Sequence, residues 1–368
     1  MKAWVLHDIG DIRYEDVPKP VPAAGEVLVK VGAAGICGSD IPRIYNTGAH
    51  RMPLIPGHEF AGTVEAVGAC EDGVDKASSA KWIGKRVGIF PLIPCRKCSQ
   101  CLEGRYELCR DYDYVGSRRD GAFSEYVCVP GDNLVELPDC VTMEEAAMLE
   151  PMAVAVHAIR QVIDPENGDR SKRVAVYGLG TIGLFITMFL KSEGFNDIIV
   201  IGNKEYQKQR ALEHGIDEGL YFDGRSDRLI LDINNTGGAD ITFECVGKSE
   251  TFEASVAVTR PMGTVVTVGN PYGDMTLNRD IYWKILRDQL TITGTWNSSF
   301  VLRDFAGEGS KGIMESDDWH YVLGKLRDKA IDPASFITHR FSLDDLDKGL
   351  AVMKNKSEEY GKIIVSNL

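Results

Sequence analysis

Cys95, Cys98, Cys101 and Cys109 fall close together, with the spacing C-x2-C-x2-C-x7-C. Thiolates two residues apart in a tight turn can share one tetrahedral zinc, and a fourth closes the shell. Four sulfurs leave no open position, so the chemistry on offer there is structural. An iron–sulfur cluster or two disulfides would use the same residues, although C-x2-C pairs in an unexported chain are usually metal sites. A second set is scattered: Cys37 in G-I-C-G-S-D, His58 and Glu59 in P-G-H-E-F-A-G, and Glu150 in L-E-P. Mixed sulfur, nitrogen and carboxylate ligands are those of an open, catalytic zinc. Each residue alone also fits a small core cysteine or a satisfied histidine, and spacing leaves both readings standing.

A third signal lies in the middle of the chain. The apolar run Arg173–Tyr177 is followed by G-L-G-T-I-G and then by a helix-compatible stretch. Gly178 would make the tight turn, Gly180 would let the backbone approach a pyrophosphate, and Gly183 would let helix and strand pack closely. Thr181 and Ile182 would open the helix whose N-terminus faces the phosphates. Strand, fingerprint, helix and second strand come in the order that dinucleotide binding requires. The second strand, Ile198–Ile201, should end in an acid that bonds the ribose 2′-hydroxyl of NAD; Gly202, Asn203 and Lys204 stand there instead. With the acid missing and a cation beside it, NADP(H) is expected over NAD(H), with Lys208 and Arg210 adding to the field. Glu205 bending back to the ribose is the opposing possibility.

These residues need a scaffold. A chain of 368 residues predicts two domains, and 44% hydrophobic with 26% charged residues excludes a disordered or collagen-like one. With 41 Lys+Arg against 54 Asp+Glu, the net charge of −13 disfavours nucleic acid and anionic membranes as partners. No run approaches the ~18 apolar residues of a membrane span, and the apolar start ends at His7 and Asp8, too early for a signal-peptide core. The expected location is cytoplasmic. Nine cysteines, an odd number, do not suggest a disulfide framework. Residues 1–150 carry short β-like runs punctuated by Gly and Pro, such as Glu26–Val31, Gly62–Val67 and Phe123–Val129. Residues 172–294 alternate apolar strands with helical stretches, the pattern of a parallel α/β sheet. Two amphipathic helices, near Trp319–Lys329 and Leu343–Lys354, and a last strand, Lys362–Val365, close the chain, and residues 72–81 read as a solvated loop.

Together G-I-C-G-S-D, P-G-H-E-F-A-G, the four-cysteine lobe, L-E-P, G-L-G-T-I-G and G-A-D-I-T-F-E-C-V-G resemble the zinc-containing medium-chain alcohol/polyol dehydrogenases over essentially the whole chain. The resemblance implies an α/β protein: a GroES-like β-rich catalytic domain of residues 1–152 and 296–368, with its zinc lobe at 91–112, and a doubly wound parallel Rossmann sheet of 153–295. It implies a catalytic zinc among Cys37, His58, Glu59 and Glu150, the last binding directly or through water, and a structural zinc on Cys95, Cys98, Cys101 and Cys109. Ser39 matches the family's proton-relay hydroxyl; the relay's usual next histidine is replaced by Pro42. The implied reaction is hydride transfer between a nicotinamide cofactor and a secondary alcohol of a polyol, with zinc as Lewis acid. S-D-I-P-R-I-Y-N-T-G-A-H and Y-V-G-S-R-R-D-G-A-F-S-E-Y resemble the polyol-phosphate branch, such as enzymes of galactitol 1-phosphate. Arg118 and Arg119, with Arg43 and His50 as weaker candidates, would then read a substrate phosphate, since guanidinium groups bind it bidentately. A neutral polyol, sugar or L-threonine dehydrogenase is the alternative within the family. A non-catalytic zinc-ribbon interaction module is the alternative outside it, but it predicts a basic surface and no dinucleotide fold. A homodimer or homotetramer is expected from the resemblance alone.

Overall fold

A computed structural model describes residues 1–68, 81–164, 167–301 and 317–366. The loop expected at 72–81 lies, apart from Lys81, outside them. The chain divides into two units, Met1–Ala153 with Ser298–Leu368, and Val154–Asn297.

The first unit is built on a seven-stranded sheet whose centre is the long strand Glu26–Ile36. This strand pairs antiparallel with Glu59–Val67, with Tyr126–Pro130 and, at its other end, with the last strand Lys362–Ser366. Two of its register shifts fall in the pairing with Glu59–Val67, and Gly35 comes opposite Glu59 there. Eight of the eleven residues of Glu26–Ile36 are buried, as the β-branched and small side chains of a central strand allow. Phe60, Phe123, Val29 and Val127 meet in its core, each almost wholly enclosed. Burial of this kind contributes on the order of 1.5–3 kcal/mol per large side chain.

The second unit holds a six-stranded sheet, all parallel. Its order is Tyr221–Asp223, Ile198–Gly202, Val174–Tyr177, Ala239–Glu244, Thr259–Thr267 and Thr291–Gly294. Numbered along the chain this is 3-2-1-4-5-6, the doubly wound dinucleotide order, with Val174–Tyr177 at the switch point. That strand is apolar throughout and fully buried, as a central parallel strand must be. Tyr221–Asp223 is absent from the sequence-based strand set because three residues are too short to show a period. The helix Arg279–Arg287, none of whose residues is buried, is a further element that the sequence reading does not name.

Candidate active site

The four lobe cysteines converge. Their ligand atoms all lie within 4.8 Å of one another. Cys98 Sγ stands 3.5 Å from Cys101 Sγ, and Cys95 Sγ stands 3.9 Å from it. Tetrahedral zinc with Zn–S of about 2.3 Å requires sulfurs about 3.8 Å apart, so the set fits one ion. A disulfide needs about 2.05 Å, and the described cysteines are free. Backbone N–H groups point at the sulfurs: Cys95 N donates to Cys109 Sγ at 3.2 Å. Those of Arg110 and Cys101 pull the Cys98 thiol down to about 6, towards the thiolate a metal needs.

The scattered set also converges, in part. Cys37, His58 and Glu59 bring their ligand atoms within 4.8 Å of one another. Cys37 directly follows the Glu26–Ile36 strand, and Glu59 begins the strand paired to it, which explains how residues so far apart in sequence meet. His58 is buried, and its Nδ1 has no hydrogen-bond partner. Asp40 Oδ1 faces that nitrogen at 3.5 Å, as a charge neighbour rather than a hydrogen bond. Burial works against a charged His58, but Asp40 and Cys37 outweigh it and hold its pKa well above the ordinary value. A metal entering here would therefore displace a proton. An orphaned buried ring nitrogen, a partly exposed sulfur and a carboxylate fit an open zinc site.

Glu150 stands outside that three-residue group. It lies in the helix Leu149–Arg160, and its Oε1 accepts from Tyr114 Oη at 3.1 Å. Burial pushes its carboxyl up to about 7; His58 and Lys362 pull the other way, and Glu59 adds to the rise. The Tyr114 ring lies 5.9 Å from that of His58, so Glu150 is linked to the group through a neighbour of its histidine. Ser39 Oγ donates to Cys37 Sγ at 3.3 Å.

Two residues that the sequence did not single out shape the site. Asp40 is fully buried; it accepts from Cys37 N at 3.0 Å and from Arg43 Nη1 at 2.5 Å. Lys362, from the last strand, is 2% exposed and bonds both Glu59 Oε2 and, at 3.2 Å, Ile36 O. A Cβ on Gly35 would collide with the Glu59 carboxylate and the Lys362 side chain, so the A-A-G-I-C run needs glycine there. One signal for Asp40 was legible, an acid three residues after Cys37 at the end of a buried strand. Nothing local marks Lys362, which lies 303 residues from Glu59.

The residues expected to read a phosphate have these surroundings. Arg43 is bound to Asp40, because that buried carboxylate requires a partner. Arg119 is bound to Glu26 at 2.6 Å and reaches Asp113 at 3.8 Å. Arg118 lies over the Tyr112 ring at 4.3 Å, and His50 is exposed. None of the four belongs to the Cys37 group.

In the second unit, the fingerprint glycines have three different surroundings. Gly178 has φ +95°, a left-handed turn that side chains resist. A Cβ on Gly180 would meet nothing within 4 Å, leaving open space over the backbone. A Cβ on Gly183 would strike Gly178 O. The helix Thr181–Ser192 starts with no side-chain cap, so its first N–H groups are available to an anion. After Gly202, Asn203 N donates to Gln207 Oε1 at 3.2 Å. Lys208 is paired with Glu218 at 2.8 Å and Arg210 with Glu213 at 2.9 Å.

Residues 23–139 match the model of the alcohol dehydrogenase GroES-like domain, and residues 181–308 match that of zinc-binding dehydrogenases. Over 346 residues, 94% of each chain, the sequence is 34% identical to galactitol 1-phosphate 5-dehydrogenase of Escherichia coli K12. The chain belongs to the zinc-binding alcohol dehydrogenases. It is an oxidoreductase of that family, with a GroES-like domain and a Rossmann-type parallel sheet. It is 31% identical to sorbitol dehydrogenase of Bombyx mori, covering 96% of this chain and 95% of that one. The crystal structure of galactitol-1-phosphate dehydrogenase from Escherichia coli superposes with a TM-score of 0.84 at 29% identity, covering 100% of both chains. A putative zinc-binding dehydrogenase of Sinorhizobium meliloti, bound to NADP, does so with 0.82 at 27%, covering 99% and 98%. Among the described residues, no helix is long and apolar enough to cross a membrane.

Proposed function

We propose that the chain oxidises a secondary hydroxyl of a polyol, in its favoured substrate a polyol phosphate, and passes the hydride to a nicotinamide cofactor. The observation that carries this reading is the Cys37–His58–Glu59 group in a chain 34% identical to a polyol-phosphate dehydrogenase. Cys37, His58 and Glu59 would hold the catalytic zinc, with Glu150 behind them, and Cys95, Cys98, Cys101 and Cys109 the structural one. A zinc in the first group supplies Lewis-acid polarisation of the substrate oxygen. Ser39 would receive the alcohol proton, and Asp40 fixes Cys37 and His58 in place. Tyr114 and Glu150 form a hydroxyl–carboxylate pair suited to a polyhydroxylated chain. With Arg43 and Arg119 committed to carboxylates, the phosphate reading rests on the likeness to the relative, not on those residues. The test is a panel of sorbitol, galactitol, their 1-phosphates and L-threonine, followed by cofactor absorbance. The phosphorylated polyols should lead by tenfold or more in kcat/KM, about 1.4 kcal/mol; L-threonine leading would overturn the assignment.

NADP(H) is the cofactor favoured by the end of the Ile198–Gly202 strand. No acid stands at Gly202 to repel a 2′-phosphate, and Lys204 occupies the position just before the next helix. The space beside Gly202 is already bordered by Leu179, Gln207 and Tyr221, at 3.0–3.2 Å from a Cβ built there. Asp223, level with Gly202 on the adjoining strand, is held by Arg225 through bonds of 3.0 and 2.9 Å and offers no bare charge. The wild type should use NADP at least tenfold better than NAD. Gly202→Asp should shift the ratio towards NAD, since only side-chain ends need to move. A tenfold preference for NAD in the wild type would refute this reading.

A homodimer is supported by the second unit's surface. The helix Arg279–Arg287 leaves Tyr282, Trp283 and Leu286 at 54%, 47% and 51% exposure, and Ile292 lies on the edge strand Thr291–Gly294. Apolar area of this extent beside an unpaired edge is what an isologous contact would cover. Trp283→Glu should lower the sedimenting mass to that of one chain; a wild type already monomeric at micromolar concentration would end the idea.

A further inference from the structure

We infer that the first unit carries a second small-molecule site, built for an amphipathic carboxylate and separate from the Cys37 group. A cavity of about 650 Å³ opens among the start of the chain, Val17–Pro20, the segment 51–55, the turn 113–120 and Tyr126–Cys128. Its volume is within the ~300–1,000 Å³ of ligand pockets. None of Cys37, Ser39, His58, Glu59, Tyr114, Glu150 or Lys362 lines it.

The lining has two characters. Val5, Val17, Leu54 and Val127 make an apolar wall, while Arg51, Arg118 and Arg119 supply positive charge and Asp113 and Asp120 negative charge. Two of these arginines are matched: Arg51 lies 3.1 Å from Asp120 and Arg119 2.6 Å from Glu26. Arg118 has no carboxylate within ion-pair distance among the described residues, and its Nε is shielded from solvent with no acceptor. Arg118 thus brings to the cavity lining a positive charge that no carboxylate of the described residues matches, and an anionic group in the cavity would match it. Tyr112 holds the guanidinium plane from one side at 4.3 Å. A fixed planar fork of donors matches a carboxylate, which it binds bidentately. An anionic head at Arg118 with a short hydrocarbon body along Val5, Val17 and Leu54 satisfies both halves of the lining.

The test is calorimetric titration of the full-length, zinc-loaded protein with octanoate. Binding with a Kd below about 1 mM is expected. Arg118→Ala should weaken it at least tenfold, and Arg118→Lys, which keeps the charge but not the fork, should fall between. Val17→Trp should abolish it by filling the cavity from a half-buried wall position whose backbone pairing with Met1 is untouched. Octanol should bind far more weakly than octanoate. The inference is overturned if the wild type does not bind octanoate, or if folded Arg118→Ala, judged by its melting profile, binds as well as wild type. It is equally overturned if octanoate competes with the polyol, or if Arg118→Ala raises the KM of a polyol phosphate while octanoate binding is unchanged. Either of those last results would assign Arg118 or the ligand to the catalytic site and leave the dehydrogenase reading intact.

Discussion

Cys37→Ala is expected to lower kcat/KM by on the order of 10³-fold or more, and to reduce the zinc content from two ions per chain to one. Lewis-acid polarisation is worth several kcal/mol of barrier, and each 1.36 kcal/mol is tenfold in rate. Cys37 supplies the only sulfur of its three-residue group, while His58 and Glu59 alone make a weak pair. The fold should survive, because Cys37 is partly exposed and follows a strand anchored along its length by Glu59–Val67 and Tyr126–Pro130. Cys101→Ala should give the opposite profile. Cys101 is buried at the centre of the lobe, 3.5 and 3.9 Å from two of its partners. Losing that sulfur should remove the other zinc and lower the melting temperature, since structural zinc contributes folding free energy. Metal analysis with thermal melting of both variants reads the difference. One zinc in the fully active wild type, or Cys37→Ala active within tenfold, would defeat the assignment.

Lys362→Met should destabilise the protein by about 3–5 kcal/mol, the usual result of removing one partner from a buried ion pair. Both side chains are 2% exposed, so solvent screens little. Burial opposes a charge on Lys362, yet Glu59 and the Cys37 sulfur outweigh it and raise its pKa. The methionine has nearly the same length, so in the zinc-free protein the loss measures the Glu59 carboxylate and the Ile36 carbonyl left without their donor. Adding Glu59→Gln should recover most of the stability without recovering turnover. Denaturant unfolding of the two single variants and the double variant gives the coupling directly. A Lys362→Met loss below about 1 kcal/mol would place the pair in the class of surface ion pairs, contrary to its burial.

What was legible in the sequence was local. The four cysteines close their group within one turn-rich lobe, and the three fingerprint glycines run from the turn after one strand into the first turn of the next helix, so spacing alone describes them. The alternation of strands and helices from Val174 to Gly294 is likewise a property of neighbouring residues. Long-range pairing was not legible. Lys362 reads as the first residue of an apolar strand, and only the antiparallel register of Ile363 with Ile36 carries it to Glu59. Arg43 and Arg119 read as available cations because nothing in one sequence reveals that Asp40 is buried beside the first or that Glu26 lies beside the second.

The pairing of Lys362 with Glu59 also orders events during synthesis. The four lobe cysteines are separated by at most 14 positions, whereas Glu59 must await a residue 303 positions later. At about 5–20 residues per second, that interval is roughly 15–60 s. The second unit is translated wholly within it, because the first unit is split around Val154–Asn297. A nascent chain can thus close its lobe early but finishes the Cys37 group only when its C-terminal strand leaves the ribosome, so a stalled or C-terminally clipped product would carry a closed lobe and a Cys37 group without the Lys362 partner of Glu59.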